Sequence, residues 1–469
     1  MFKLFFLLSP FILFAQNAQI IYFTDAHQLY ELDDIEDGRG GVARLKTVVD
    51  NAKKENNETL AIHGGDFVGG ILYGGMYKGN HMPNAFNQIP IDIFNFGQHE
   101  FDYGVDHLIT LINQTKGTFF TSNLVDDKGN SFHQLPTYLI KKINNQTILF
   151  IGLTDQMQTT KKDSRAQQAD LFLSVEKVFK QVKNQLFNQI VVVSQMDLAK
   201  NRELVKRFPT INLVLTEEVD EYNSQINYVG KTPIIATAGN MSSVAKINLS
   251  SHNLPQIEII PLDKNTLKDK VLAKLEAQEK NNVEKELNQK LAVLEVDLDA
   301  FQSLKTESLA GNFVTDAMRD YYKTDLALID GSGIRKNVEK GDFTYKSART
   351  LLPFGNKMVV VELNGKDFKA FLEQNILSEK PKLIQVAGTK FIINKKSNSI
   401  EFPHLENEKK YTLVLNDYNF GKLKNYTRIL IGAEDEKSIE DYEVLKIYVE
   451  KQQIINPKIE NRITIIDYE

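Results

Sequence analysis

The sequence predicts a two-domain α/β protein. Three observations point there. The chain has 469 residues, more than one ordinary domain needs. Strand-like apolar runs alternate with amphipathic helical runs. A long tract without Gly or Pro separates two such patterns. Composition agrees: 42% hydrophobic and 25% charged residues suit a globular chain. The formal net charge is −5 with acids and bases interspersed, so no nucleic-acid polymer is expected as a partner. There is no cysteine, which excludes disulfides and lipid attachment through an N-terminal cysteine.

The N-terminus reads MFKLFFLLSPFILFAQNAQ. Lys3 precedes an apolar core, Leu4 to Phe14, broken by Ser9-Pro10. The small residues Ala15 and Ala18 follow. This run is too short to span a membrane and fits a cleaved secretory signal over residues 1–18. No later segment has the length and apolarity of a membrane helix, so an exported, periplasmic or secreted protein without a membrane anchor is expected. The sequence leaves monomer and dimer open.

The first domain is expected over residues 19–262. "QIIYFTD" is a strand ending at Asp25, and "GGVARLKTVVDNAKKE" has helical spacing at Val42, Leu45, Val48 and Val49. "ETLAIHGGD" is a strand ending in glycines and Asp66, and "IDIFNFGQHE" repeats the design. "TILFIGLTD", "QIVVVSQMD" and "INLVLTEEVDE" come after it. Each strand delivers polar residues at its C-terminal end, the edge where ligands gather in layered α/β folds. Residues 263–295, rich in Lys, Glu, Leu and Ala, predict a helical linker. A second α/β domain is expected over 296–469: "ESLAGNFVTDAMRDYY" as helix, "DLALIDGSGIR" as strand and glycine loop, then "KMVVVELNGKDFKAFLEQN".

The motifs form an ordered series: "FTDAHQLYE", "GGVAR", "GGDFVGG" and "GQHEFDYG", then "ESLAGNFVTDAM", "DGSGIR" and "LLPFGNKMVVVELNG". Together they resemble the calcineurin-like metallophosphoesterases, and specifically the two-domain 5′-nucleotidase family. That resemblance implies a four-layer α/β/β/α sandwich, a helical linker and a smaller substrate-binding C-terminal domain. It also implies hydrolysis of a phosphate monoester, such as a nucleoside 5′-phosphate. Two metal ions, typically ~3.5–4 Å apart, activate water and neutralise developing charge in such chemistry. By resemblance Asp66 bridges the ions, and Asp25 and His27 bind the first. Two residues apart at a strand end, Asp25 and His27 point the same way. His99 stabilises the transferring phosphate or protonates the leaving oxygen, and Asp102 holds His99. A carboxylate on one imidazole nitrogen fixes the tautomer and raises basicity.

The second ion's ligands depart from the family pattern. Gln98 stands for Asn, Gln195 for a His, Glu218 for another His, and Asp220 for the fourth first-ion ligand. Gln98 carries its amide oxygen one methylene further out, which matters where ion–oxygen distances are near ~2.1 Å. The set Asp25, His27, Asp66, Gln98, Gln195, Glu218 and Asp220 is dominated by oxygen donors. It favours Mg²⁺, Mn²⁺ or Ca²⁺ over Zn²⁺. Three readings stand: two re-tuned ions, one ion at Asp25, His27, Asp66 and Asp220, or a non-catalytic binding protein on the same scaffold. Loss or weakening of the second ion is favoured.

The second domain drifts as well. The resemblance makes Arg335 a phosphate contact, with Asp330 where Asn is usual and Thr306 where an Arg is common. Tyr418 aligns with one base-stacking aromatic. Its partner region offers Leu383, with Phe391 nearby. Tyr418 and Phe391 fit base stacking and ordinary core packing about equally. "KLKN" replaces a ribose-binding glycine motif, with Lys424 at the place of its acid, and a lysine cannot accept ribose hydroxyl hydrogens. The expected ligand is a small phosphate ester or nucleotide, and the altered motif does not predict preference for an unmodified nucleoside.

Overall fold

The computed structural model describes residues 18–32, 38–69, 72–159, 163–220, 222–250, 253–378 and 382–466. The expected export segment therefore lies outside the described residues, apart from Ala18. That residue opens the first strand and pairs with Leu249. Among the described residues no helix is long and apolar enough to cross a membrane. The chain divides into two compact units, Met1–Asn281 and Asn282–Glu469.

The first unit holds two six-stranded sheets. One runs in the order Gln256–Pro261, Ser243–Leu249, Ala18–Phe23, Leu60–His63, Ile93–Phe94, Thr118–Phe119. The other runs Gln225–Val229, Thr232–Ala236, Leu213–Thr216, Gln189–Gln195, Gln146–Thr154, Leu139–Ile143. Successive strand side chains point to opposite faces. Ile148, Phe150, Val191, Val193, Leu213 and Leu215 thus meet Ile20, Tyr22, Ile62 and Ile93 of the facing sheet in one core. Leu149, Ile151, Val192 and Val214 turn outward under Val175, Val178, Leu204 and Val205 of two helices. Truncating a fully buried Phe such as Phe150 to Ala costs about 3–5 kcal/mol. Those two helices, Leu171–Gln181 and Leu198–Arg207, start at Asp170 and Asp197, whose carboxylates accept from Leu173 and Lys200 N–H. Asp197, one of the strand-end acids, is thereby a helix cap.

Four strands of the first sheet run parallel, from Ala18–Phe23 to Thr118–Phe119. So do the strands Gln146–Thr154, Gln189–Gln195 and Leu213–Thr216 of the second. Register pairs Thr154 with Gln195 and Ser194 with Thr216. Asp25, Asp66, Gln98, Gln195 and Glu218 all follow or end these parallel strands, so both sheets deliver chemistry to C-terminal ends.

The expected linker helix spans Lys270–Leu287 and is shorter than residues 263–295. Asp269 starts it by accepting the Val271 and Leu272 N–H groups. Residues Lys290–Leu294 form a strand instead, antiparallel to Gly341–Thr344 and parallel to Ile454–Ile455. Ala292 and Leu294 are buried while Val293 points out, a period of two that suits a sheet.

The second unit centres on a five-stranded sheet: Ile384–Ala387, Leu326–Asp330, Lys410–Asn416, Met358–Asn364, Arg428–Ile431. Its core joins Leu328, Val359, Val361 and Leu413 to Phe368, Phe371 and Leu372 of the helix Gly365–Ile376. Leu383 and Phe391 belong to the same core.

Candidate metal and phosphate site

The loops after the first-sheet strands are built around two aspartates in left-handed backbone conformation, Asp25 at φ 54° and Asp66 at φ 59°. Such values are uncommon outside Gly, and they cluster where a loop must aim a side chain. Asp25 N–H donates to Gly65 O at 3.0 Å, which ties the two loops together. Glu100 locks the second. Its buried carboxylate accepts the N–H groups of Asp66 at 3.0 Å, Phe67 at 2.7 Å and Gly97 at 2.7 Å. No role for Glu100 was read from the sequence; the signal was its place inside "GQHEFDYG". Gly97 is required, since a Cβ there would lie 2.1 Å from Asp66 Oδ1. Gly239 does the same for Glu218, whose Oε2 would be 1.2 Å from an added Cβ.

Asp25, His27 and Glu218 converge, with one ligand atom from each within 4.8 Å of the others. Glu218 N–H also donates to Asp25 Oδ2 at 3.2 Å. Burial, followed by the charge of His99, pushes His27 down to about 3, so its imidazole is neutral and able to ligate. Burial drives three neighbouring carboxyls the other way. Asp25 rises to about 6 and Glu100 to about 7, and Asp66, pressed also by Glu100 and Asp25, lies well above the ordinary range. Crowded buried acids of this kind suit a cation that supplies the missing charge.

The remaining donors fit as well. Among the described residues His27 Nδ1, Gln98 Oε1 and Gln195 Oε1 are buried acceptors without a hydrogen-bond partner. Buried polar groups are seldom left so, and a place kept for a cation is one accepted explanation. Gln195 turns its amide nitrogen inward, donating to Thr24 Oγ1 at 2.9 Å and approaching Asp25 Oδ2 at 3.5 Å. Asp66 is not a member of the Asp25–His27–Glu218 group; its Oδ1 accepts His99 N–H at 2.9 Å. Asp220, expected as a fourth ligand, lies elsewhere. Its carboxylate accepts Tyr222 N–H at 2.8 Å and Asn223 N–H at 2.7 Å, closing an Asx turn on its own loop.

His99 opens a short 3-10 turn, His99–Phe101, and its Nδ1 lies 2.8 Å from Asp102 Oδ2. Burial opposes charge on His99, but the hydrogen bond and charge of Asp102 outweigh it and hold the imidazole above its ordinary pKa. The ring stands edge-on to His27, with centroids 5.7 Å apart. Gly69, at φ 63°, leaves room for Asp102, whose Oδ2 would be 2.6 Å from a Cβ. A half-buried imidazole, oriented through Nδ1 and biased toward its protonated form, can donate through Nε2 to a phosphoryl or leaving oxygen.

In the second unit Asp330 ends the strand Leu326–Asp330 and is buried. Its Oδ1 accepts Ser332 N–H at 2.9 Å and Ser332 Oγ–H at 2.8 Å. Arg335 lies over the Phe354 ring, 5.4 Å from its centroid, and Phe354 is 61% exposed. Phe391, a candidate stacking residue, is 0% exposed in the core and packs on Phe402. Its alternation in Phe391–Asn394 turns it inward. Phe354, in "LLPFGN", is the exposed aromatic that sequence reasoning passed over. Tyr418 is 49% exposed, with Lys422 Nζ 3.7 Å from its ring centroid and Lys382 Nζ donating to its Oη.

Comparison with known proteins agrees with this architecture. Residues 290–429 match the family model "5′-nucleotidase, C-terminal domain". The chain is 23% identical over 521 residues to the trifunctional nucleotide phosphoesterase protein YfkN of Bacillus subtilis, covering 95% of this chain but only 34% of that one. It is 21% identical to the NAD 5′-nucleotidase of Haemophilus influenzae, over 71% of this chain and 68% of that one. It thus spans about a third of the length of the first curated relatives it matches. The crystal structure of a 5′-nucleotidase precursor from Thermus thermophilus has the same fold, with TM-score 0.68 at 19% identity over 97% of this chain and all of that one. Residues 290–429 thus carry a 5′-nucleotidase C-terminal domain, and the chain as a whole has the two-domain fold of the 5′-nucleotidases it resembles.

Proposed function

We propose that this chain is a metal-dependent phosphohydrolase that cleaves phosphate monoesters, nucleotides or related esters, outside the cytoplasm. One observation carries the reading: the His99–Asp102 pair stands at the same sheet edge as the Asp25–His27–Glu218 group and three orphaned buried acceptors. Asp25, His27 and Glu218 would hold one divalent cation, with Gln98 and Gln195 supplying neutral oxygens and Asp66 beside them. Mg²⁺, Mn²⁺ or Ca²⁺ suits that oxygen-rich set better than Zn²⁺. Such a cation supplies Lewis acidity toward phosphoryl oxygen and lowers the pKa of water.

The chain's own residues do the rest. Asp102 fixes the ring of His99 and favours its protonated form, in which Nε2–H of His99 stabilises the phosphoryl group or gives its proton to the departing alkoxide. Glu100 keeps the Asp66 and Gly97 backbone in place. The inward amide nitrogen of Gln195 favours one tightly held ion over two. It also supports a second reading, a binding protein with little turnover.

Purified protein assayed against AMP, a UDP-sugar and p-nitrophenyl phosphate with Mg²⁺, Mn²⁺, Ca²⁺, Co²⁺ and Zn²⁺ separates the two. Phosphate release lost in Asp25→Asn and His99→Gln supports the enzyme. Absence of turnover with every ion removes the enzymatic reading for these substrates. Export through residues 1–18 is tested by the N-terminal sequence of the mature protein; a retained Met1 contradicts it.

A further inference from the structure

We propose that the Lys382–Lys422–Tyr418 cluster of the second unit is a binding site for a phosphate group, rather than a stacking platform for a nucleobase. The ammonium groups of Lys382 and Lys422 lie 3.5 Å and 3.6 Å from Asp330 Oδ2. They are therefore at most ~7 Å from each other. Asp330 is buried, and its Oδ2 has no hydrogen bond among the described residues. One carboxylate is balanced by one lysine, so the second ammonium is in surplus. Arg335 adds a further cation on the loop that caps Asp330 through Ser332, and among the described residues no carboxylate pairs with it. Among the described residues three cations against one acid leave a formal +2, which matches a phosphate dianion.

The aromatic ring points the same way. Lys422 Nζ sits 3.7 Å above the Tyr418 centroid, at the distance a stacked base would need. Lys382 Nζ donates to Tyr418 Oη at 3.1 Å, so the phenol orients the second ammonium. The ring face is thus occupied by charge from the chain itself. Both lysines remain partly exposed, at 41% and 30% of the side chain, so an incoming anion can reach them. Ammonium groups on flexible stems suit a compact anion as point charges.

The inference concerns the second unit alone, and its test involves no turnover. Isothermal titration calorimetry of the full chain, stripped of metal with EDTA, would use inorganic phosphate, pyrophosphate, AMP and adenosine. The expected result is that the three anions bind and adenosine does not. Lys382→Gln and Lys422→Gln should each weaken pyrophosphate about tenfold, as loss of a charge-assisted contact does. Lys422→Arg should retain binding, and Lys290→Gln, a control in the same unit, should leave it unchanged. AMP binding above inorganic phosphate assigns the site to an ester, and equality assigns it to the free anion; both support phosphate recognition. Adenosine binding as tightly as AMP, no anion binding, or anion binding indifferent to both Lys→Gln changes would overturn it. Failure here with turnover intact leaves the phosphohydrolase standing, and the converse result leaves the anion site standing.

Discussion

Two strand ends of this molecule solve the same problem in opposite ways. Asp25 in the first unit and Asp330 in the second are both buried aspartates just beyond or at the end of a strand in a sheet's interior. Around Asp25 the chain provides acceptors: His27, Glu218, and the orphaned oxygens of Gln98 and Gln195. Around Asp330 it provides cations, Lys382 and Lys422. A buried carboxylate needs a counter-charge, and where the chain withholds it the site is built for a cation from solution. Where the chain oversupplies it, the site is built for an anion. The same local design thus serves, on the readings proposed above, a metal edge in one unit and a phosphate-binding loop in the other.

The largest expected effect comes from the first strand end. Asp25→Asn removes charge from the ligand group and should abolish both bound metal and phosphate release, measured by elemental analysis and a phosphate assay. His99→Gln keeps the metal but removes the proton donor, so kcat should fall about 10²–10⁴-fold with metal content unchanged. A metal loss in that variant would break the separation of roles.

At the second strand end, Lys382→Met with Lys422→Met leaves the buried Asp330 without a cationic partner, held only through Ser332. The lysines are partly exposed, so the loss is discounted to about 1–3 kcal/mol in urea unfolding. Adding Asp330→Asn should recover most of it, while Asp25→Asn should not. Gly239→Ala, aimed at the Glu218 carboxylate, should cost about 1–3 kcal/mol and weaken metal binding.

The smallest effect is on pH. Asp102 holds the His99 pKa above its ordinary value. As an acid, His99 works while protonated, so kcat should decline as pH rises through that raised pKa. Asp102→Asn should move this alkaline limb to lower pH. The linked stability has the same sign: it is fully present below the unfolded pKa and is lost as pH rises through the folded one. An unmoved limb means that another group sets it.

Much of the first strand end was legible in the sequence, because strand periodicity fixes where a run ends and motif spacing fixes which side chains the next loop carries. Asp25, His27, His99 and Asp102 lie within a few residues of such ends. Asp220 stands outside the Asp25–His27–Glu218 group because its loop has its own local chemistry: its carboxylate takes the N–H groups two and three residues on and closes an Asx turn. The second unit was harder to read. Phe391 and Phe354 are both aromatic, and only the period of two in "FIIN" marks the first as inward. Lys422, two residues past the helical turn Asp417–Phe420, comes back against the Tyr418 ring, a contact that the sequence did not signal. Glu100 could not be assigned, because two of its three backbone N–H partners come from a loop more than thirty residues away.

Mn²⁺ binding to the metal-free full chain, followed by electron paramagnetic resonance, addresses the contrast most directly. One Mn²⁺ per wild-type chain, lost in Asp25→Asn and retained in Asp330→Asn, is the expected result. No bound Mn²⁺, or binding that survives Asp25→Asn, would contradict a cation site at the first strand end.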